Sequence, residues 1–302
     1  INSEIEKPFE LEHNAFDNST FKNAILTVPA GTKSLYQSTG GWNLFQNIIE
    51  TGSDQSGDID EDIVKNNGFS FKLNRNDRTA EVVEIDGLVI IIEIPEFFEY
   101  EGVSYNVISI GDYATKNGKS NPEGSSVTIP KSIKTIGSYA FNDMFIFGVN
   151  IPKSVALIKS HAFCSFIDRL YIDSFSSWCN ITFEDEISNP LWDANNLYIN
   201  GELIHDIVIP EGVTSIPSYA FMGKAFDTIS IPSSISSISK FAFGVCSNLT
   251  DLYCHSANVP TTDLESFDTD IIKNVVVHVP ANSIDTYKNA SPWNQFKKIV
   301  TT

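Results

Sequence analysis

The chain is expected to fold as a strand-rich solenoid, with short parallel strands stacked coil upon coil and joined by short helical or 3-10 turns. Three observations predict it: one motif recurs four times with fixed offsets, its copies twice stand 22 residues apart, and several β-branched runs stop at a proline. Repetition at a short fixed period marks coils that cannot bury their apolar face alone and share one core with their neighbours. A unit of 22 residues is too short for a strand, a full helix and two loops, so its turns must be brief. A proline at a strand end cannot donate to the ladder and closes it.

The four copies are Ile129-Pro130 with Ile133, Ile136, Ala140 and Phe141; Ile151-Pro152 with Val155, Ile158, Ala162 and Phe163; Ile209-Pro210 with Val213, Ile216, Ala220 and Phe221; and Ile231-Pro232 with Ile235, Ile238, Ala242 and Phe243. Ile136, Phe141, Ile158, Phe163, Ile216, Phe221, Ile238 and Phe243 are therefore read as one interior ladder. Each large side chain contributes roughly 1.5–3 kcal/mol on burial. A weaker copy precedes them, Val107, Ile110 and Ala114, with Thr115 in the place of Phe, and reads as an edge unit without its aromatic. Pro152 and Pro210 are 58 residues apart, so 36 residues beyond one period are inserted between the two regular pairs. Strands are expected at Thr79 to Ile85, Leu88 to Ile94, Asp206 to Pro210, Thr250 to Cys254 and Asn274 to Pro280. The Ala-Phe segments are expected as single helical turns, and Ser283 to Asn289 as a short cap helix.

A second duplication spans most of the chain. Asn14-Ala15-Phe16-Asp17, Val28-Pro29-Ala30 and Gly41-Trp42-Asn43-Leu44-Phe45 match Glu265-Ser266-Phe267-Asp268, Val279-Pro280-Ala281 and Pro292-Trp293-Asn294-Gln295-Phe296 at a constant offset of 251, and Tyr36 pairs with Tyr287. A solenoid needs its last layer covered, so both stretches read as end caps, built on Trp42 and Trp293. Three segments result. Residues 1–50 are either the terminal repeat and cap of an upstream array or a short module of their own. Residues 51–62, with five acids and no base, form an acidic linker. Residues 63–302 form a second array with an opening unit and a cap from about residue 260.

The frame Ile-Pro, Val, Ile, Ala-Phe, followed by Cys246, Leu249 and Leu252, resembles the BspA-like leucine-rich repeats of surface and secreted proteins from Bacteroides and its relatives. The insert, from Trp178-Cys179-Asn180-Ile181 through Asn189-Pro190-Leu191 and Asn196 to Gly201, is similar to a variant unit of that family. Two departures predict local irregularity: Phe147-Gly148-Val149-Asn150-Ile151 lacks the customary Leu, and Cys164 directly follows Phe163, whereas Cys246 stands three residues after Phe243. The resemblance implies a curved leucine-rich-repeat-like solenoid, exported to the cell surface or beyond and often part of an adhesion module. It carries over no ligand and no site residue.

The residue inventory narrows the chemistry. With 38 acids against 20 bases in 302 residues, the formal charge of −18 opposes nucleic acid and anionic membranes as partners. No run of 18 apolar residues and no signal-peptide pattern occurs in the sequence given, so no membrane insertion by this chain is expected. His13, His161, His205, His255 and His278 show no metal-ligand spacing, and neither a Gly-x-Ser-x-Gly elbow nor a phosphate loop is present. Acid pairs such as Glu184 with Glu186 and Asp263 with Glu265 read as solvated faces. No catalytic residue, metal or cofactor is therefore expected. His161 aligns with Tyr139, Tyr219 and Phe241 and is read as replacing an aromatic beside the turn. Cys164, Cys179, Cys246 and Cys254 are too few for a disulfide framework. Cys246 and Cys254 read as buried thiols, and a bridge between Cys164 and Cys179 stays open.

Phe175, Trp178, Phe183, Trp192 and Tyr198 in the insert are the candidate ligand contacts, because Trp and Tyr are favoured anchors. The same rings could instead fill the core of an enlarged coil. The expected function is that of a non-catalytic, monomeric module, cell-surface or secreted, that binds an extracellular protein or glycan. The alternatives are a structural spacer and a hydrolase of surface glycans.

Overall fold

The computed structural model describes residues 1–11, 15–16, 20–21, 24–45, 47–51, 63–85, 90–115, 124–163, 166–223 and 226–302. His13, Cys164 and nearly all of the acidic segment 51–62 lie outside the described residues. The chain divides into two compact units, Ile1–Glu61 and Asp62–Thr302.

In the first unit the strands Ile25–Val28 and Asn47–Glu50 pair in parallel, and Asn2 forms a parallel bridge with Thr27. The helix Lys33–Ser38 and the 3-10 turn Trp42–Leu44 connect the two strands. Tyr36 is fully buried; its hydroxyl donates to Ile5 O at 2.8 Å and meets Ser3 Oγ at 2.5 Å. The last coil of the second unit repeats this arrangement 251 residues on. There Tyr253 pairs with His278, the Tyr287 hydroxyl donates to Ser256 O at 2.8 Å, and Cys254 Sγ lies 3.2 Å from it. The duplication thus reaches the hydrogen bonds, with a thiol in place of a hydroxyl. Trp42 and Trp293 are both buried, and their indole N–H groups donate to Phe9 O and Thr262 Oγ1.

The second unit opens with two antiparallel hairpins, Ile63–Asn66 with Phe69–Asn74 and Phe97–Tyr100 with Val103–Ile110. Their turns, Asn67-Gly68 and Glu101-Gly102, have φ of 47° and 81° and of 53° and 75°. Positive φ at both central residues matches the twist of the flanking strands, and glycine takes the second position without strain. Thr79–Ile85 pairs antiparallel with Phe69–Asn74 and parallel with Val103–Ile110, which turns the hairpin sheet into a solenoid.

From there each coil contributes to two sides. One side is the six-stranded sheet of Ile91–Glu93, Ser125–Thr128, Phe145–Ile151, Phe166–Ile172 and Ala194–Ile199 in parallel, closed by the antiparallel Glu202–Leu203. The other carries the two-residue strands Thr135–Ile136, Leu157–Ile158 and Thr182–Phe183. Both sides stop at the insert and restart, as Ile207–Val208, Thr228–Ile231, Asp251–Cys254, Val276–Val279 and Lys298–Thr301, and as Ser215–Ile216, Ser237–Ile238 and Thr261–Thr262. The chain is thus a parallel-strand β-solenoid with few short helices.

One core runs from Phe71 to Phe296. Phe141 stacks on Phe163 at 5.2 Å, and Phe221, Phe243 and Phe267 stack at 5.7 and 5.6 Å. Trp293 meets Phe267 edge-on at 5.4 Å and covers the end of the pile. Between the two piles the insert supplies the continuity. In a regular coil the Phe N–H donates to the Ala carbonyl of the next coil, as Phe141 does to Ala162 O and Phe221 to Ala242 O, both at 2.9 Å. At the insert, Ala220 O instead accepts from Trp178 Nε1 at 2.7 Å and Asn189 Nδ2 at 3.2 Å, and Tyr219 O accepts from Asn189 Nδ2 at 2.6 Å. Phe175, on a short helix capped by Ser174, lies edge-on to Phe221 at 5.7 Å. Side-chain donors take over where the main-chain ladder is interrupted.

Several details differ from expectation. The Ala-Phe segments are hydrogen-bonded turns, not helical ones, because the preceding residue is left-handed: φ is 54° at Tyr139, 56° at His161, 65° at Tyr219 and 53° at Phe241. Tyr113, in the weaker copy, shares this conformation at 57°. Its rings stack outside the core: Tyr113 on Tyr139 at 4.9 Å, Tyr139 on His161 at 4.6 Å, and Tyr219 on Phe241 at 5.8 Å. The run from Asn274 becomes a strand only at Val276, because Asp268 caps a helix Thr269–Asn274 by accepting from Asp270 and Ile271 N–H. Residues 86–89 lie outside the described residues, and the strand that follows them is Ile91–Glu93. Phe147 forms a bulge, since the register with Ser125–Thr128 shifts between Ile146 and Gly148. Thr115 occupies the Phe place, its N–H donating to Ala140 O, but among the described residues its buried hydroxyl has no partner.

Candidate functional site

The strands Phe145–Ile151, Phe166–Ile172 and Ala194–Ile199 bury Ile146, Val149, Ile167, Leu170, Ala194 and Leu197, with two less buried residues between each of these pairs. Their parallel register sets Phe145 beside Phe166, Gly148 beside Arg169 and Asn196, and Asn150 beside Tyr171 and Tyr198. Leu203 pairs with Tyr198 on the antiparallel strand. The Phe145 and Phe166 rings stack at 5.0 Å and those of Tyr171 and Tyr198 at 5.1 Å. The Arg169 guanidinium lies 4.6 Å from the ring centre of Phe147, the bulge residue. Two glycines make room: a Cβ on Gly124 would collide with the Phe145 ring, and one on Gly148 would crowd Tyr171. Phe147, Phe166 and Leu203 are 42, 49 and 41 % exposed, so this face offers apolar surface beside a cation. The Tyr171 hydroxyl beside the guanidinium holds the Arg169 pKa above its ordinary value, and Asp168 lies 3.4 Å away.

The same outward position in the later sheet carries Val208, Ser230, Tyr253 and His278. Tyr253 and His278 stack at 4.3 Å, and His278 Nε2 lies 2.7 Å from Asp251 Oδ1, which holds the Asp251 carboxyl below the usual range.

The five aromatics expected at a ligand are split by the fold. Phe175, Trp178 and Phe183 are buried, with Trp178 and Phe183 in ring contact at 5.2 Å. Trp192 is 45 % exposed and rests on Gly223, where a Cβ would strike its ring. Tyr198 is half-buried in the outward column. Phe145, Phe147, Phe166, Arg169 and Tyr171 were not distinguished by sequence. One signal was available: the residue before the Ile of each Ile-Pro frame, or of its equivalent, traces the outward column as Asn150, Tyr171 and Tyr198.

Several of the groups weighed for catalysis have structural occupations. His161 is stacked on Tyr139, and its Nδ1 is 2.7 Å from Ser160 Oγ. Glu184 accepts from Ser160 N–H, Asp263 from Glu265 N–H, and Glu265 pairs with Lys240 at 2.8 Å. Cys179, Cys246 and Cys254 are buried free thiols. Among the described residues no group of three or more His, Cys, Asp or Glu is placed to hold a metal ion, and no helix is long and apolar enough to cross a membrane.

Among solved structures, the chain is similar to a leucine-rich repeat protein from Bacteroides capillosus ATCC 29799, at 22 % identity over 46 % of this chain and 99 % of that one, with a TM-score of 0.35. It is similar to the leucine-rich repeat protein of T. pallidum, at 16 % identity over 76 % and 96 %, with a TM-score of 0.43. A leucine-rich cell surface protein from Faecalibacterium prausnitzii A2-165 matches at 15 % identity over 80 % and 94 %, with a TM-score of 0.28. No curated protein matches the chain significantly. The BspA type leucine-rich repeat region matches in six copies, over residues 99–188 and 194–291. With well over half of its residues in those copies, the chain belongs to the BspA-type leucine-rich repeat family.

Proposed function

We propose that this protein is a non-catalytic binding module of the cell surface or the secreted fraction, and that the outward face from Phe145 to Leu203 meets its ligand. A BspA-type repeat protein is a binding or structural protein. The registered column of outward rings around Arg169 supports the binding reading. A spacer has no use for Phe147 and Phe166 in solvent, whereas aromatic and Arg side chains are the usual anchors of an interface. The rings stack on one another, so they present edges more than open faces. A sugar packs on an open aromatic face, and the arrangement therefore favours a protein ligand over a glycan. The cell-surface description of the Faecalibacterium relative is in keeping with an extracellular location.

The test is an array of extracellular matrix proteins and glycans probed with the purified chain and with a Phe166→Ser/Arg169→Ala double variant. Binding to a matrix protein that the variant loses by tenfold or more supports the reading. A folded wild-type chain that binds nothing, or a variant that binds equally well, removes this face from consideration and leaves the spacer.

A further inference from the structure

A second candidate site lies at the opening of the second unit, apart from the outward aromatic face and independent of it. The first hairpin and the stretch from Glu93 to Glu99 enclose a cavity of about 380 Å³, at the small end of the range for ligand pockets. Its apolar wall is Phe69, Phe97 and Phe98, and Phe98 is itself stacked at 4.1 Å on the buried Phe71. Glu93 and Glu99 supply its charge, and among the described residues no base lines it. Among the described residues neither carboxylate has an ion-pair or hydrogen-bond partner. Aromatic rings and unpaired carboxylates around a space of this size suit an alkyl chain that ends in a cation.

The cavity adjoins a free strand edge. Among the described residues Ile91–Glu93 is the terminal strand of its sheet and pairs with Ser125–Thr128 alone. Ser126 N–H donates to Ile90 O at 2.8 Å and Ile94 N–H to Thr128 O at 3.1 Å. The alternation of a parallel ladder then leaves the N–H and C=O groups of Ile91 and Glu93 on the open side. Ile90 and Ile91 beside them are 64 and 59 % exposed. An open edge with unpaired main-chain groups accepts an extended peptide by strand addition.

We propose that this end of the second unit takes an extended basic segment of a partner polypeptide. Its backbone adds to the Ile91–Glu93 edge, and one Lys or Arg enters the cavity, its stem against Phe69 and Phe97 and its head between Glu93 and Glu99.

Fluorescence anisotropy of a short fluorescein-labelled peptide alternating valine with arginine tests this, with the citrulline version as the uncharged control. Saturable binding of the arginine peptide is expected. It should weaken about tenfold or more in Glu93→Gln/Glu99→Gln, and also in Ile91→Pro, which deletes an outward N–H and leaves the ladder bonds in place. A general attraction to a chain of charge −18 would change little when two carboxylates are neutralised. The Phe166→Ser/Arg169→Ala variant should bind the peptide as the wild type does, which separates this site from the aromatic face. The proposal is overturned by absence of saturable binding, by equal affinity for the citrulline peptide, or by a Glu93→Gln/Glu99→Gln variant that binds undiminished. Both glutamates are exposed, so that variant keeps its fold and remains decisive even if Ile91→Pro loses stability.

Discussion

Asn189→Ala tests whether the insert is the joint between the two runs of coils. Asn189 is 1 % exposed; it donates to Tyr219 O and Ala220 O and accepts from Leu191 N–H at 2.9 Å. Truncation leaves Leu191 N–H without its partner and takes one of two donors from each carbonyl, Tyr219 O keeping Met222 N–H at 3.1 Å and Ala220 O the Trp178 indole at 2.7 Å. A buried polar group left unpaired costs roughly 1–3 kcal/mol, so the orphaned Leu191 N–H sets an expected loss of about 1–3 kcal/mol. Trp178→Phe removes only the indole N–H and leaves Ala220 O its bond to Asn189, so it should cost nearer 1 kcal/mol. Urea unfolding followed by circular dichroism and by tryptophan fluorescence reads both variants. Because the strands on both sides stop at the insert, Asn189→Ala should also broaden or split the transition and lower its slope. A loss under about 0.5 kcal/mol with an unchanged slope, the size of an ordinary surface substitution, would refute the role given to these side-chain bonds.

Further outcomes are expected elsewhere. Thr115→Val removes a buried hydroxyl that has no partner among the described residues and should raise stability by about 1 kcal/mol in urea unfolding. Phe221→Ala empties a fully buried place between Phe175 and Phe243 and should cost about 3–5 kcal/mol in the same assay. Burial pushes the Cys179 and Cys246 thiols up to about 12 and raises that of Cys254 as well. In a Cys164→Ser variant at pH 8, Ellman's reagent should therefore find no reactive thiol until denaturant is added. The Glu211 carboxylate accepts from Ser233 and Ser234 N–H, which holds its pKa below the usual value. A lowered folded pKa gives stability that is complete above the unfolded value, near 4, and lost as pH falls through the folded one. Tm plotted against pH below about 4 should accordingly fall less steeply for Glu211→Gln than for the wild type.

The fold class was legible because stacking imposes one period on every coil, and the side chains that stack in the core are those that recur at fixed offsets from proline. The joint was not legible, because Phe175, Trp178 and Asn189 sit at no repeat offset and act through contacts 30 to 46 residues away. The outward face was hidden for another reason. Phe145 and Phe166 are 21 residues apart and Tyr171 and Tyr198 are 27 apart, so only the strand register brings each pair together. The left-handed turns leave no mark in composition, since Tyr139, Tyr219 and Phe241 are not residues that choose positive φ by themselves. The 251-residue duplication, by contrast, was plain because Tyr36 and Tyr287 each carry a hydroxyl that must find a buried acceptor.

The rings that flank those turns bear on how such an array changes length. A left-handed backbone at Tyr139 or Tyr219 costs of order 1–3 kcal/mol, and the contact of its ring with the next one returns roughly 0.5–1.5 kcal/mol. That return exists only when an adjacent layer is present. A solitary layer keeps the whole penalty, one at a terminus recovers part of it, and one in the middle, as Tyr139 between Tyr113 and His161, recovers from both directions. Inserting a layer at the centre breaks one such contact and makes two, and adding one at an end makes one, so each brings the same penalty and the same return, and the array gains or drops whole layers at equal cost anywhere along the stack.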